Sequence, residues 1–204
     1  MTEKFKNLSG KQKLGYIFDY YKAPIIIVLS AALVLSYFLY DHFTKEKFDA
    51  EIIYAGSGYF TSEYESAVSS LASLGVDADN DGEEKLKFDQ FSYTDIYGAE
   101  YKVTMTVTLI NIVKSGKENI LWLDSERLSA VLSECEDYLV PKDEWAPGSE
   151  SQDSYSVDLS KSAVLKEKGI PADGVYMVVV RAKHPESAKN QNTLKIAGKI
   201  ANEN

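Results

Sequence analysis

Residues 25–40 (IIIVLSAALVLSYFLY) constrain this chain more than any other feature, because they carry no charge. Ala23 and Pro24 extend the uncharged run to residues 23–40. At the rise of an α-helix the run is about 27 Å long, just enough to cross a hydrocarbon core of ~30 Å. Its flanks are asymmetric. Lys4, Lys6, Lys11, Lys13 and Lys22 precede it against Glu3 and Asp19, whereas Lys45 and Lys47 follow it against Asp41, Glu46 and Asp49. Lysine excess on the N-terminal side predicts a single-pass plasma-membrane topology, N-terminus cytoplasmic and C-terminal domain extracellular. A signal peptide would close its apolar core with small residues, but this run closes with Tyr37, Phe38, Leu39 and Tyr40. The expectation is an uncleaved anchor with an aromatic interfacial end.

The segment before the run has a pattern of its own. Ser9 and Gln12 have capping-box spacing, and Leu14, Ile17, Phe18 and Tyr21 then recur on one helical face. This predicts a short helix over residues 1–22 lying on the inner leaflet, its lysines attracted to anionic lipid. A continuous helix with no surface preference is the other reading. Pro24 suits the first turn of a spanning helix over 23–40, with a linker over 41–47.

After the run, 204 − 40 = 164 residues remain, enough for one domain with a real core over 48–204. The whole chain carries −9, residues 1–40 carry 5 − 2 = +3, and the remainder therefore carries −12. An acidic domain excludes nucleic acid as a partner, since that needs a basic face. The lone Cys135 excludes an intrachain disulfide. It shares a helical face with Leu128, Val131 and Leu132, which places it in the core.

Strands are expected over 48–54, 86–93, 119–123, 155–159 and 174–182. Helices are expected over 62–74 (stopped by Gly75), from Asp124 or Ser125 to Cys135, over 162–168, and from Pro185 to Ile200. Residues 102–114 stay ambiguous. Val103, Met105, Val107 and Leu109 alternate like a strand, while Val103, Val107, Ile110 and Val113 fit a helix that Gly116 would end. The alternation of strands and helices implies a three-layer α/β domain with a mostly parallel sheet.

Two candidate sites emerge. Asp77, Asp79 and Asp81 with Gly82 match the opening of a calcium loop, where alternate residues of a tight turn supply hard oxygens. Loop position twelve, which needs a bidentate glutamate, is Phe88, so a solvated acidic turn is the plainer reading. Open α/β sheets bind ligands beyond the carboxyl ends of their strands. That points to Ser57, Gly58 and Tyr59 after the first strand, and to Asp124 and Ser125 after the NILWL strand. A turn glycine and a helix cap account for the same residues without a ligand. Catalysis finds no motif: the histidines are His42 and His184, and no H-x-x-x-H, C-x-x-C, G-x-S-x-G or P-loop pattern occurs. The chain is not expected to be an enzyme or to need a cofactor other than calcium.

Two stretches carry a resemblance. Val157-Asp158-Leu159-Ser160, Ala163 to Glu167, Gly169-Ile170, Val175 to Val180 and His184 to Ala188 resemble the end of a lobe in bacterial extracellular solute-binding proteins of ABC transporters. Lys114-Ser115-Gly116 followed by Asn119 to Asp124 resembles the helix, glycine turn and buried strand of the same proteins. The block from Lys13 to Lys22, running into an anchor, looks like single-pass membrane proteins of Gram-positive bacteria. The resemblance implies that residues 101–115 are helical and that the domain is one periplasmic-binding-protein-like lobe. It differs from that family in lacking a lipid-anchoring cysteine and a second lobe. The function expected is a membrane-anchored, extracytoplasmic, non-catalytic interaction or sensing module, partnered by another membrane or envelope protein. Direct binding of a small-molecule ligand or calcium is the alternative.

Overall fold

The computed structural model describes residues 9–44, 47–93, 98–117, 119–149 and 153–202. The chain forms two compact units, Met1–Glu46 and Lys47–Asn204. In the first, one helix, α1, runs over Gly10–Thr44 with Pro24 inside it. Pro24 therefore does not open a separate spanning helix, and the continuous alternative holds for the backbone. The side chains of Gln12, Leu14, Ile17, Phe18 and Tyr21, on which the surface-lying reading rests, fall outside the described residues, as do Lys4, Lys6 and the His42 side chain. Within α1, Lys22–Tyr40 is long and apolar enough to cross a membrane, with a mean hydropathy of 2.2 and nothing buried.

The second unit is an α/β domain built on five strands in the order β2-β1-β3-β5-β4. They are β1 (Ala50–Gly56), β2 (Leu86–Ser92), β3 (Asn119–Leu123), β4 (Val157–Asp158) and β5 (Tyr176–Val179). Alternation sorts each strand onto two faces. Ile52, Tyr54, Ile120, Trp122, Met177 and Val179 join one core, and Ile53, Ala55, Leu121, Leu123, Val178 and Val180 the other. Helices α2 (Ser62–Ser69), α5 (Ala163–Glu167) and α6 (Ala188–Ala201) contribute Val68, Leu165, Ile196 and Ile200 to the first core. Helices α3 (Gly98–Lys114) and α4 (Ser125–Cys135) contribute Leu109, Val113, Leu128, Val131 and Cys135 to the second. The result is three layers, with Cys135 1% exposed.

The sheet is mixed, not mostly parallel. β2, β1 and β3 run parallel, but β5 is antiparallel to both β3 and β4. The reason is the length of α5. A parallel return needs a crossover that spans the sheet, and a five-residue helix cannot supply one. The chain turns back at the same end of the sheet, helped by Gly169 at φ 67° and Gly174 at φ 71°.

Residues 98–114 are a helix despite their β-branched composition. Connecting parallel β2 to β3 across β1 requires a crossover element, and topology overrides propensity. The threonines are accommodated locally. Thr104, Thr106 and Thr108 hydroxyls donate to the carbonyls of Glu100, Lys102 and Thr104, each at 2.9 Å.

Candidate functional site

β1 leads to β2 on one side, and α3 then carries the chain back over β1 to β3 on the other. The exits of β1 and β3 are neighbours that diverge, which is the topological switch point of an open sheet. All the switch-point residues singled out above lie at these exits. Ser57 and Gly58 form the turn after β1, and Tyr59 projects into solvent, 70% exposed. Asp124 caps α4 by accepting from Arg127 N at 3.0 Å, and Ser125 begins that helix.

The crevice between the exits is filled from within. Ser57 N donates to Asp124 Oδ2 at 3.0 Å, and Asp124 N donates to Ala55 O at 3.3 Å. Gly58 N donates to the Tyr54 hydroxyl at 3.0 Å. A Cβ at Gly56 or Gly58 would meet that hydroxyl at 2.5 or 2.7 Å, so these glycines make room for the Tyr54 ring. Phe60 N donates to Gln90 Oε1, and Gln90 Nε2 donates back to Phe60 O, both at 3.0 Å. Burial pushes the Tyr54 phenol above its ordinary pKa, so it stays a neutral hydroxyl at physiological pH. The amides of Ser57, Gly58, Phe60 and Asp124 are thus already engaged.

The organising cation of this corner is Arg127, which the sequence reading did not single out. It is 5% exposed, and its Nη1 donates to Asp124 Oδ2 at 3.3 Å and to Glu126 Oε2 at 2.7 Å. Its guanidinium lies over the Tyr93 ring, 4.1 Å from the centroid. Burial raises the Tyr93 phenol to about 12, with Arg127 opposing the rise. One signal for Arg127 is present in the sequence. A cation in the first turn of a helix faces the positive end of the helix dipole, and it is held there only by nearby carboxylates.

The acidic loop rearranges the candidate metal set. Asp77 and Asp79 come together with Asp49, their oxygens lying within 4.8 Å of one another. Asp81 points elsewhere, bridging to Lys85 Nζ at 3.1 Å. Hydrogen bonding from Glu83 N and Lys85 holds the Asp81 carboxyl below its usual range, and Glu83 and Asp81 hold the Lys85 ammonium above its own. Asp49 is 5% exposed and accepts from Ala78 N at 2.6 Å and Lys85 N at 2.8 Å. Asp77 accepts from Gly82 N at 2.8 Å and Asp81 N at 3.2 Å. Phe88 packs against the first core from β2, so the loop ends in a strand where a calcium hand would place its last ligand. Asp49, distant in sequence from the D-x-D-x-D run, carries no local motif that could have announced it.

No protein-family model, curated protein or solved structure matches this chain.

Proposed function

We propose that this chain is a membrane-anchored, extracytoplasmic interaction or sensing module that performs no chemistry of its own and is related to a solute-binding lobe. The observation that carries the reading is the filled switch point: Tyr54, Asp124 and Gln90 occupy the positions where such a sheet would hold a ligand. What the domain leaves exposed is surface for contact, including Tyr59 at 70%, Val103 at 64% and Val107 at 53%. Tethering by the apolar helix raises the local concentration of such a surface beside a membrane neighbour, so weak contacts suffice. The test is photocrosslinking in native membranes from positions 59 and 107. A discrete adduct with a second membrane or envelope protein is expected. Absence of any adduct from either position overturns the reading.

A second reading, direct calcium binding, is favoured by the approach of Asp49 to Asp77 and Asp79. Three carboxylates supply the hard oxygens that calcium takes. An ion bound only by the folded chain stabilises it by RT ln(1 + [L]/Kd). Calcium at ~1 mM should then raise the melting temperature, and Asp79→Ala should abolish the rise. An unchanged melting temperature removes this reading.

A further inference from the structure

β2 is an outermost strand of the sheet, paired with β1 on one side and with no described strand on the other. The two residues that flank it show which way its main chain faces. Tyr93 N donates to Gly56 O at 2.9 Å, and Lys85 turns both its carbonyl and its N–H to Asp49. Main-chain groups alternate sides along a strand, so Lys87, Asp89 and Phe91 bond toward β1. Leu86, Phe88, Gln90 and Ser92 therefore point their N–H and C=O groups outward. Among the described residues nothing donates to those carbonyls or accepts from those amides.

Such an edge is a template for another strand unless it is short, bulged, interrupted by proline or charged. β2 has no proline, pairs with β1 without a bulge over Leu86–Ser92, and at seven residues is as long as β1. What it does carry is charge. The Lys87 and Asp89 side chains are 40% and 39% exposed and lie on one face of the sheet. These charges turn away most strands, and they also select one. A second β2 related by a twofold axis can only pair antiparallel, with outward residues opposite outward residues. When Phe88 lies opposite its own copy, Leu86 meets Gln90 and Lys87 lies directly opposite Asp89 on both sides of the axis. A slip of two residues in either direction puts Lys87 opposite Lys87 or Asp89 opposite Asp89, and like charges directly opposite are unfavourable.

The matched register has further support. Lys87 and Asp89 occupy the non-hydrogen-bonded positions, where facing side chains come closest. Within one chain Lys87 already bridges both Glu51, at 3.2 Å, and Asp89. Two carboxylates thus share one ammonium, and a second ammonium from across the axis relieves that excess. Phe88, only partly buried against the first core, gains an aromatic neighbour in its own copy.

We propose that β2 is a self-pairing edge, through which two copies of this chain join antiparallel about Phe88 into one continuous sheet. The junction carries about six main-chain hydrogen bonds and two Lys87–Asp89 pairs. It lies apart from the crevice at Ser57 and Asp124.

The experiment mixes two differently tagged full chains in detergent micelles, one Lys87→Cys and the other Asp89→Cys, and oxidises them. The matched register sets the two new thiols opposite each other and leaves the second Lys87–Asp89 pair intact, while like positions sit on a diagonal too long for a good disulfide. The mixed disulfide should exceed either homodisulfide at least about fivefold. Cys135, 1% exposed, stays silent. Separately, Lys87→Asp and Asp89→Lys each set like charges across the axis, and each alone should weaken association in sedimentation equilibrium at least about tenfold. Mixing those two chains sets opposite charges at both pairs again and should restore it. No mixed disulfide, homodisulfides in equal yield, or a charge-exchanged mixture that associates no better than its parts overturns the proposal. Positions 59 and 107 lie off β2, so a failed disulfide leaves the contact reading standing, and a failed photocrosslink leaves this pairing standing.

Discussion

At the mouth of β3, the Asp124 carboxylate caps α4, holds Ser57 N and faces the guanidinium of Arg127. Asp124→Ala removes the cap and leaves a buried cation whose remaining counter-charge, among the described residues, is the exposed Glu126. Losing a cap costs about 1 kcal/mol, and weakening the support of a buried charge that keeps Glu126 and the Tyr93 ring costs about 2 more, so a loss of about 3 kcal/mol is expected. Asp124→Asn, which can still cap, should lose about half of that, and urea denaturation measures both. Next to this pair, Tyr93 gives the fold an alkaline limit. Its folded pKa of about 12 exceeds the ordinary 10.0, so the neutral phenol is the form the fold prefers. That contribution is complete below pH 10 and is lost as pH rises through 12. Stability should therefore fall across this window, and Tyr93→Phe should make the fall shallower. Part of it should persist, because burial raises Tyr54 too. Asp124 and Ser125 were readable as cap and strand exit. The plug was not, because alternation in residues 48–54 says only that Tyr54 faces inward. Nothing local says that its hydroxyl reaches the turn four residues later.

Among the elements, α3 shows where local preference and topology part. Its alternating valines and threonines favour a strand, yet β2 and β3 run parallel on either side of β1, and the link between them has to cross the face of the sheet as a helix. Helix formation against propensity leaves Val103 and Val107 exposed at 64% and 53%. Replacing both with Ala, the best helix former, should stabilise the domain by about 1 kcal/mol in thermal or chemical denaturation. Destabilisation would mean that they are packed in solution. The other elements lie where their sequence signals put them but are mostly shorter: the strand over 155–159 is Val157–Asp158, that over 174–182 is Tyr176–Val179, the helix over 62–74 tightens to a 3-10 turn after Ser69, and the last helix starts at Ala188, capped by Ser187, and not at Pro185. The direction of β5 does not follow from such signals. A strand-helix-strand order normally reads as parallel, and only the shortness of α5 reverses it.

For the whole molecule, an apolar helix and an acidic domain divide the chain's charge, +3 in residues 1–40 and −12 beyond. If the lysine-rich side stays in the cytoplasm, the domain lies across the membrane. The single cysteine makes this easy to measure. Cys135 is 1% exposed and its thiol is pushed up by burial, so it should ignore a membrane-impermeant maleimide. A Glu63→Cys variant should be labelled in right-side-out vesicles and protected in inside-out ones, and the opposite pattern would invert the topology. The strand order also sets a schedule. A chain delivered N-terminus first can complete β2-β1-β3 early, but β5, the neighbour that closes the flank of β3, is the last strand to emerge. Until Tyr176–Val179 arrives, the fully buried row Asn119–Leu123 has one bare edge. Bare edges pair with whatever strand is nearby. The interval between those two segments leaving the ribosome or the translocation pore is therefore when this protein is most exposed to misassembly, and slowing delivery there should cost more yield than slowing it anywhere upstream.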